Sequence, residues 1–306
     1  MRNSDRLAIK LNETRLKLLE AIEREQRAED KRAEARIAAA DARAERAQRS
    51  GRALVADPLR LLAIGDSWFD YPLLDNGPTF QHTDIIQQLQ DVGTPKPIIV
   101  PAKHWGYTSV VELSLPMQKR IKTALQTKDK WGRRGKPDAI LISAGGNDIA
   151  GDAFCIFISN PPNPPLDDAR FKKAMGMIEA SYEELFELRN LYAKNVPIYG
   201  HYCYDFAIPN NVHPACIGPW LHPAFEFSGQ TDMTANTKAV ADALKLFREL
   251  LGRLANKKAN RFTLLETQGT LKISEWANEL HPKRGGFKKI MEIFRARLAA
   301  DFPGRI

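Results

Sequence analysis

The sequence has few cysteines and no long hydrophobic run. Its 306 residues include three cysteines, Cys155, Cys203 and Cys216. An odd number at wide spacing does not suit the disulfide framework of a small secreted domain, so we expect reduced thiols. No apolar stretch approaches the roughly 20 residues of a membrane-spanning helix, which predicts a soluble protein without an integral membrane segment.

Signals for secretion and for nucleic-acid, nucleotide or metal binding are also missing. Residues 1–6 do not begin an apolar signal-peptide core, so we expect a cytoplasmic protein unless a route without a cleaved signal exports it. The formal net charge of +8 fits an acidic partner or a mildly basic soluble protein, and no zinc-finger, RRM-like or Gly-Lys-Thr motif supports the first. The histidines other than His281 lack the close helical spacing of a metal pair. We therefore expect no cofactor, no metal and no nucleic-acid partner.

Residues 1–50 differ in composition from the rest and predict a helical arm, which precedes a second domain over residues 51–306. The segment is dense in Ala, Arg and Glu, and residues 5–49 contain neither Gly nor Pro. Its larger apolar side chains fall near one helical stripe in the first half, at Leu7, Leu11, Leu18 and Ile22. Beyond them the apolar residues are mostly alanine. We expect the first half of the helix to pack on something and the second half to be largely solvated.

Two roles stay open for this helix. Residues 5–49 could form a coiled-coil-like arm that joins a homo-oligomer or a partner protein. The alternative is a helical spacer. Under the first role, deletion of residues 1–50 is expected to alter association more than catalysis.

From about residue 60 onward, strand-like and helix-like segments alternate. Five apolar runs predict buried strands at residues 61–64, 97–101, 138–143, 196–202 and 261–266. Helix-like segments occupy residues 83–90, 108–127, 167–195, 234–256 and 285–300, and the second of these is expected to be broken or offset near Pro116. This alternation predicts a parallel sheet with helices on both faces, and right-handed crossovers bring the C-terminal ends of the strands to one edge. We expect the functional site at that edge.

Three short motifs lie where such a sheet would place a site. Gly65-Asp66-Ser67 follows the first strand, Gly145-Gly146-Asn147-Asp148 follows the third, and His281-Pro282 precedes the last helix. A serine hydroxyl is a weak nucleophile until a base such as histidine accepts its proton. Attack on an ester carbonyl creates an oxyanion, and a neutral amide is a donor that can stabilise it. The residue types therefore indicate nucleophilic cleavage of an ester.

The order of the motifs resembles the SGNH/GDSL hydrolase family of serine esterases and lipases, over residues from about 60 to 300. The four blocks, in chain order, are Gly65-Asp66-Ser67, Trp105-Gly106-Tyr107-Thr108, Gly145-Gly146-Asn147-Asp148 and Leu280-His281-Pro282. The resemblance implies a flavodoxin-like three-layer α/β/α sandwich with a five-stranded parallel sheet, preceded here by the long N-terminal helix.

The resemblance also implies a role for each block. Ser67 would be the nucleophile that forms an acyl-enzyme, and His281 would be its base. The backbone N–H groups of Ser67 and Gly106 and the side-chain amide of Asn147 would form the oxyanion hole. The implied reaction needs neither metal nor cofactor. Asp66 and Asp148 are expected to stabilise the loops through backbone hydrogen bonds rather than act on substrate.

One departure from the family pattern concerns the last block. The family usually has Asp-x-x-His, but Asn278 stands three residues before His281. The amide oxygen of Asn278 can accept the ring N–H of His281 but offers less charge to an imidazolium. Three alternatives stay open: a triad with Asn278, a dyad helped by a backbone carbonyl, or a carboxylate from elsewhere. The candidates for the last are Glu275, Glu279 and Asp205, and we favour the first two alternatives.

The substrate is expected to be a small-molecule, lipid or glycan ester. Two long segments, residues 151–168 and 205–232, follow strand ends and are placed to shape a pocket. The aromatic residues assigned to substrate binding are Trp68, Trp105, Tyr204 and Trp220. For Trp68 and Trp105, burial in the core is the alternative. A rival hypothesis is a catalytically weak or inactive scaffold that acts as a binding protein through the N-terminal helix.

Overall fold

The computed structural model describes residues 3–51, 56–71, 83–201, 207–213 and 218–306 of the chain. In the first helix, the side chains it describes are those of residues 17, 20, 21 and 23 onward. No helix in these parts of the chain is both long enough and apolar enough to cross a membrane.

The centre of the fold is a five-stranded parallel sheet. Its strands are β1 (Arg60–Gly65), β2 (Ile98–Lys103), β3 (Ala139–Ser143), β4 (Ile198–His201) and β5 (Phe262–Leu265). They lie in the order β2-β1-β3-β4-β5, and each neighbouring pair is parallel. Strands buried on both faces read as continuous apolar runs, which is why residues 61–64 and 139–142 were recognisable as strands. The predicted sheet is confirmed.

Helices cover the sheet in the three-layer arrangement that was expected. They are α1 (Asn3–Arg49), α2 (Ile85–Leu89), α3 (Ser109–Glu112), α4 (Leu115–Gln126), α5 (Asp168–Tyr192), α6 (His222–Phe227), α7 (Met233–Asn256) and α8 (Arg284–Asp301). The predicted helix over residues 108–127 is divided because Thr108 caps α3, while Ser114 and Pro116 begin α4.

The strand register sets where the catalytic loops leave the sheet. Gly65, the last residue of β1, lies beside Lys103 of β2 and Ser143 of β3. The three strands therefore end at the same level, and the loops that follow them start side by side. This is the edge at which the first three sequence blocks were expected to meet.

The second half of α1 packs on the sheet, which corrects the expectation that it is largely solvated. Ala33, Ile37 and Ala40 belong to the main hydrophobic core. Alanine is small enough to let the helix approach the edge strand β2 closely. Asp41 then reaches the fully buried guanidinium of Arg60 at the start of β1.

Candidate active site

The turn after β1 presents Ser67 at the sheet edge. Gly65 has no room for a side chain, since a Cβ there would lie 2.8 Å from the ring of Phe69 and 3.0 Å from the carbonyl oxygen of Ser143. Asp66 stabilises the turn, because its Oδ1 accepts the backbone N–H of Trp68 at 3.0 Å and the hydroxyl of Ser143 at 2.8 Å. The expected loop-stabilising role of Asp66 agrees with these contacts.

Ser67 and His281 are in direct contact although they are far apart in sequence. The Oγ of Ser67 lies 2.6 Å from the Nε2 of His281, and both side chains are buried. His281 occupies the segment before α8, where the backbone N–H of Ala277 donates to the carbonyl of His281 at 2.9 Å. This short loop fixes the histidine opposite the turn after β1.

The other ring nitrogen of His281 faces Asn278. The Oδ1 of Asn278 lies 3.2 Å from Nδ1 of His281, and it also accepts the backbone N–H groups of Leu280 at 3.0 Å and His281 at 2.8 Å. An amide oxygen only accepts, so Nδ1 of His281 must carry the hydrogen. Nε2 is then an acceptor, and the hydroxyl of Ser67 donates to it.

Two carboxylates that were candidates for orienting His281 are committed elsewhere. Glu279 is buried, and its oxygens accept the backbone N–H groups of Trp220 at 2.7 Å and Leu221 at 2.8 Å. Glu275 forms an ion pair with Lys289 at 2.7 Å. Asp205 lies outside the described residues. Glu279 thus fixes the loop that begins α6, a role that its place beside the fourth block did not suggest.

Burial determines the protonation of His281. Removal from water disfavours the imidazolium and lowers the pKa of His281 to about 3. Aromatic rings surround the imidazole, with centroid distances of 5.0 Å to Tyr71 and 5.4 Å to Trp220. The ring is therefore neutral at physiological pH, with Nε2 free of a proton.

The second and third blocks are joined by hydrogen bonds. The amide Nδ2 of Asn147 donates to the backbone carbonyl of Tyr107 at 2.9 Å, one residue past Gly106. Asp148 accepts the backbone N–H of Ser109 at 2.7 Å, which fits its expected loop-stabilising role. The Asn147 amide has two N–H groups, so one bond to Tyr107 leaves a further donor.

Gly106 itself lies in an open, left-handed turn. Its φ is +78°, a conformation that favours glycine, and no atom lies within 4 Å of where a Cβ would be. His104, two residues before Gly106, donates its backbone N–H to the carbonyl of Gly65 at 2.8 Å. The Gly106 turn is thereby attached to the end of β1, next to Ser67.

The four aromatic residues assigned to substrate binding differ in position. Trp68 is fully buried among core side chains, so it does not face substrate and that assignment is wrong. Trp220 is half-buried beside the His281 ring. Trp105 is 43% exposed next to Gly106. Tyr204 lies outside the described residues.

A buried carboxyl group beneath these loops was not anticipated. Glu112 of α3 is fully buried, and neither of its oxygens has a hydrogen-bond partner among the described residues. Burial, reinforced by the charges of Asp66 and Asp148, raises the pKa of Glu112 well above its ordinary value. Glu112 is therefore held in its neutral form. Its position between Val111 and Leu113 was not recognised as a sign of burial, because a single glutamate in a short helix is usually exposed.

The fold and this site together define a class of protein: hydrolases in which a parallel α/β sheet brings a serine and a histidine into contact at its carboxyl edge. The chain belongs to the GDSL-like Lipase/Acylhydrolase family, whose model matches residues 61–294. The match contains all four blocks, which confirms the resemblance, and it leaves out α1. A search of curated proteins finds no match.

Solved structures of lipases and esterases are similar to this chain in fold. An extracellular lipase from Streptomyces rimosus has 14% sequence identity and a TM-score of 0.45, with 78% of this chain and 99% of that chain covered. A carbohydrate acetylesterase from Sinorhizobium meliloti has 12% identity and a TM-score of 0.44, with 80% of this chain and 100% of that chain covered. A phospholipase A1 from Streptomyces albidoflavus has 12% identity and a TM-score of 0.41, with coverages of 78% and 99%.

Proposed function

We propose that the protein is a serine hydrolase that cleaves a carboxylic ester through an acyl-enzyme on Ser67. The observation that supports this most directly is the 2.6 Å contact between the Oγ of Ser67 and the Nε2 of His281. The contact is buried, and the far side of the imidazole is held by Asn278. The nucleophile therefore contacts its base, and the base contacts the group that orients it, as nucleophilic catalysis requires.

The reaction follows from these contacts. Ser67 attacks the ester carbonyl while Nε2 of His281 takes the hydroxyl proton, and the imidazolium returns that proton to the departing alcohol. Water, deprotonated by His281, then releases the acid from Ser67. The oxyanion that forms in each half-reaction would accept hydrogen bonds from the backbone N–H groups of Ser67 and Gly106 and from the Asn147 amide.

Labelling with a fluorophosphonate probe tests this proposal, because the probe reacts with an activated serine and not with an ordinary hydroxyl. We expect wild-type protein to be labelled and the Ser67→Ala variant to remain unlabelled. A wild-type protein that does not react would favour the rival view of an inactive scaffold.

The acid side of the pH profile is expected to be unusual. The active form of His281 is neutral, so kcat/KM rises as pH increases through its pKa. Because burial lowers that pKa to about 3, we expect kcat/KM for a p-nitrophenyl ester to change less than about twofold between pH 5 and pH 7.5. A histidine with the ordinary pKa of about 6.5 would lose about 30-fold at pH 5. An acid limb centred near pH 6.5 would contradict the burial of the base, provided that circular dichroism shows the fold intact.

A groove lined by Asp148, the residue after Asn147, supports an apolar portion in the substrate. Its volume is about 390 Å³, and it runs from Asp148 past the exposed side chains of Val110, Ile156 and Met177. Exposed apolar side chains grouped in one concave surface are typical of a binding site. The cavity lined by Gly146 and Leu280 has only about 20 Å³, too little for an alkyl chain. We infer that an alkyl or acyl chain lies in the groove.

Replacing Met177 with glutamate tests the groove. We expect Met177→Glu to lower kcat/KM about 10-fold for p-nitrophenyl octanoate and less than twofold for the acetate, since only the longer chain loses about 1–2 kcal/mol of apolar contact. Leu191→Glu is the matched control, because Leu191 is similarly exposed on the same helix and lies outside the groove. If kcat/KM fell equally for the two esters, or equally in the two variants, the alkyl or acyl chain of the substrate would bind outside this groove.

A further inference from the structure

The asparagine in the last block creates a requirement that an aspartate would not. A carboxylate presents an acceptor oxygen whichever way it is turned, whereas an amide has an accepting end and a donating end. Asn278 must therefore keep its oxygen toward Nδ1 of His281. Asn278 is also buried, so its Nδ2 needs a partner within the protein.

Tyr71 supplies that partner. The Nδ2 of Asn278 donates to the hydroxyl oxygen of Tyr71 at 3.4 Å. The ring of Tyr71 also packs on His281, with 5.0 Å between centroids, and on Phe287, with 5.3 Å. One side chain thus touches both the imidazole and the group that orients it.

The position of Tyr71 is fixed from the serine side of the site. Tyr71 lies four residues after Ser67, and its backbone N–H donates to the Oδ2 of Asp84 at 3.3 Å. Asp84 is fully buried, and its Oδ1 accepts the backbone N–H of Gln87 at 2.7 Å as the cap of α2. The backbone of Tyr71 is therefore attached to the residue that caps α2, outside the loop that carries Asn278 and His281.

We propose that Tyr71 is a positioning residue that acts on His281 through Asn278. The effect of Tyr71 on turnover rests on the proposed hydrolase function. When His281 takes the proton of Ser67, its Nδ1–H draws electron density toward Oδ1 of Asn278, and the Nδ2–H of the amide becomes a stronger donor to Tyr71. Hydrogen bonds linked in this way strengthen one another. The hydrogen bonds of Asn278 and Tyr71 thereby supply part of the imidazolium stabilisation that the charge of an aspartate would give.

A double-mutant cycle tests the proposal. We expect Tyr71→Phe to lower kcat about 10-fold with KM within twofold, because the imidazole loses orientation and not substrate contact. In the Asn278→Asp background the same change should cost less than threefold, since a carboxylate needs no partner to fix its direction. Equal losses in the two backgrounds would overturn the proposal, because the hydroxyl would then act by a route other than residue 278.

Tyr199→Phe is the matched control. Tyr199 is buried too, and its hydroxyl donates to Asp301 at 2.7 Å, at the end of α8 and away from Ser67. We expect its kcat to stay within twofold of wild type. A 10-fold loss in Tyr199→Phe as well would show that any lost buried hydroxyl slows the enzyme, and would overturn a specific role for Tyr71.

Proton NMR gives a readout that does not depend on turnover. The Nδ1 proton of His281, held by Asn278, should give a slowly exchanging low-field resonance that is absent from His281→Ala. We expect Tyr71→Phe to broaden or shift it and Tyr199→Phe to leave it unchanged. A resonance unaffected by Tyr71→Phe would overturn the positioning role. Absence of ester hydrolysis by wild type would instead refute the proposed function, and the resonance would still decide the role of Tyr71.

Discussion

Ser67→Ala is expected to lower kcat/KM for a p-nitrophenyl ester by about 10⁴–10⁶-fold, which is the scale of loss when a hydrolase loses its nucleophile. The variant keeps the oxyanion donors and the groove, so KM should change little. Alanine lacks only the hydroxyl that contacts His281 at 2.6 Å, and the fold should therefore be unaffected. Steady-state kinetics together with thermal unfolding measure both consequences.

Ser181→Ala is a suitable control for this experiment. Ser181 is a similarly buried serine whose hydroxyl donates to the backbone carbonyl of Met177 at 3.1 Å within α5. Its removal should leave kcat/KM within about twofold. If Ser67→Ala retained more than a tenth of the wild-type activity, another group would be the nucleophile and the acyl-enzyme mechanism would be wrong.

The sheet and the order of the blocks could be predicted because local sequence determines them. A parallel strand buried on both faces must be apolar throughout, so residues 61–64 and 139–142 are identifiable without any knowledge of their neighbours. The pairing of Ser67 with His281 is different, since more than two hundred residues separate them. Resemblance to a family, rather than periodicity, predicted that contact.

Features that depend on tertiary partners were not predictable. Trp68 adjoins the nucleophile in sequence, but the turn after β1 directs its ring into the core. Glu279 adjoins His281, but its carboxylate faces the backbone of residues 220–222. Neighbouring residues in a turn point in different directions, so proximity to a catalytic residue does not identify substrate contacts or triad acids.

The packing of the second half of α1 also depends on tertiary partners and was not predictable from its own sequence. An alanine-rich face is compatible with solvent and with close packing, and composition does not distinguish them. The deciding residues are elsewhere in the chain. Arg60 is fully buried, and a buried guanidinium requires anionic partners, which Asp41 of α1 and Asp57 provide. The helix is therefore bound to the sheet by charge as well as by its alanines.

Asp41→Ala is accordingly expected to lower the free energy of unfolding by about 3 kcal/mol, the lower end of the range for breaking a buried ion pair. Asp57, whose Oδ1 lies 3.2 Å from Nη2 of Arg60, retains part of the charge compensation. Burial alone would raise the pKa of Asp41, but Arg60 and Arg133 lower it below its ordinary value. The carboxylate contributes at neutral pH and less as pH falls through that lowered pKa, so urea unfolding is measured at pH 7.

Glu23→Ala on the same helix separates this effect from a general loss of helix stability. Glu23 pairs with Arg27 across one helical turn at 3.2 Å, with both side chains well exposed. An exposed pair of this kind is worth about 0.5 kcal/mol at most. Equal losses of unfolding free energy in the two variants would show that Arg60 does not need Asp41.

A large loss of unfolding free energy confined to Asp41→Ala would mean that deletion of residues 1–50 leaves the buried guanidinium of Arg60 with fewer partners. Such a deletion would then report unfolding rather than association, and the role of the N-terminal half of α1 would have to be tested with the contacts of Asp41 intact.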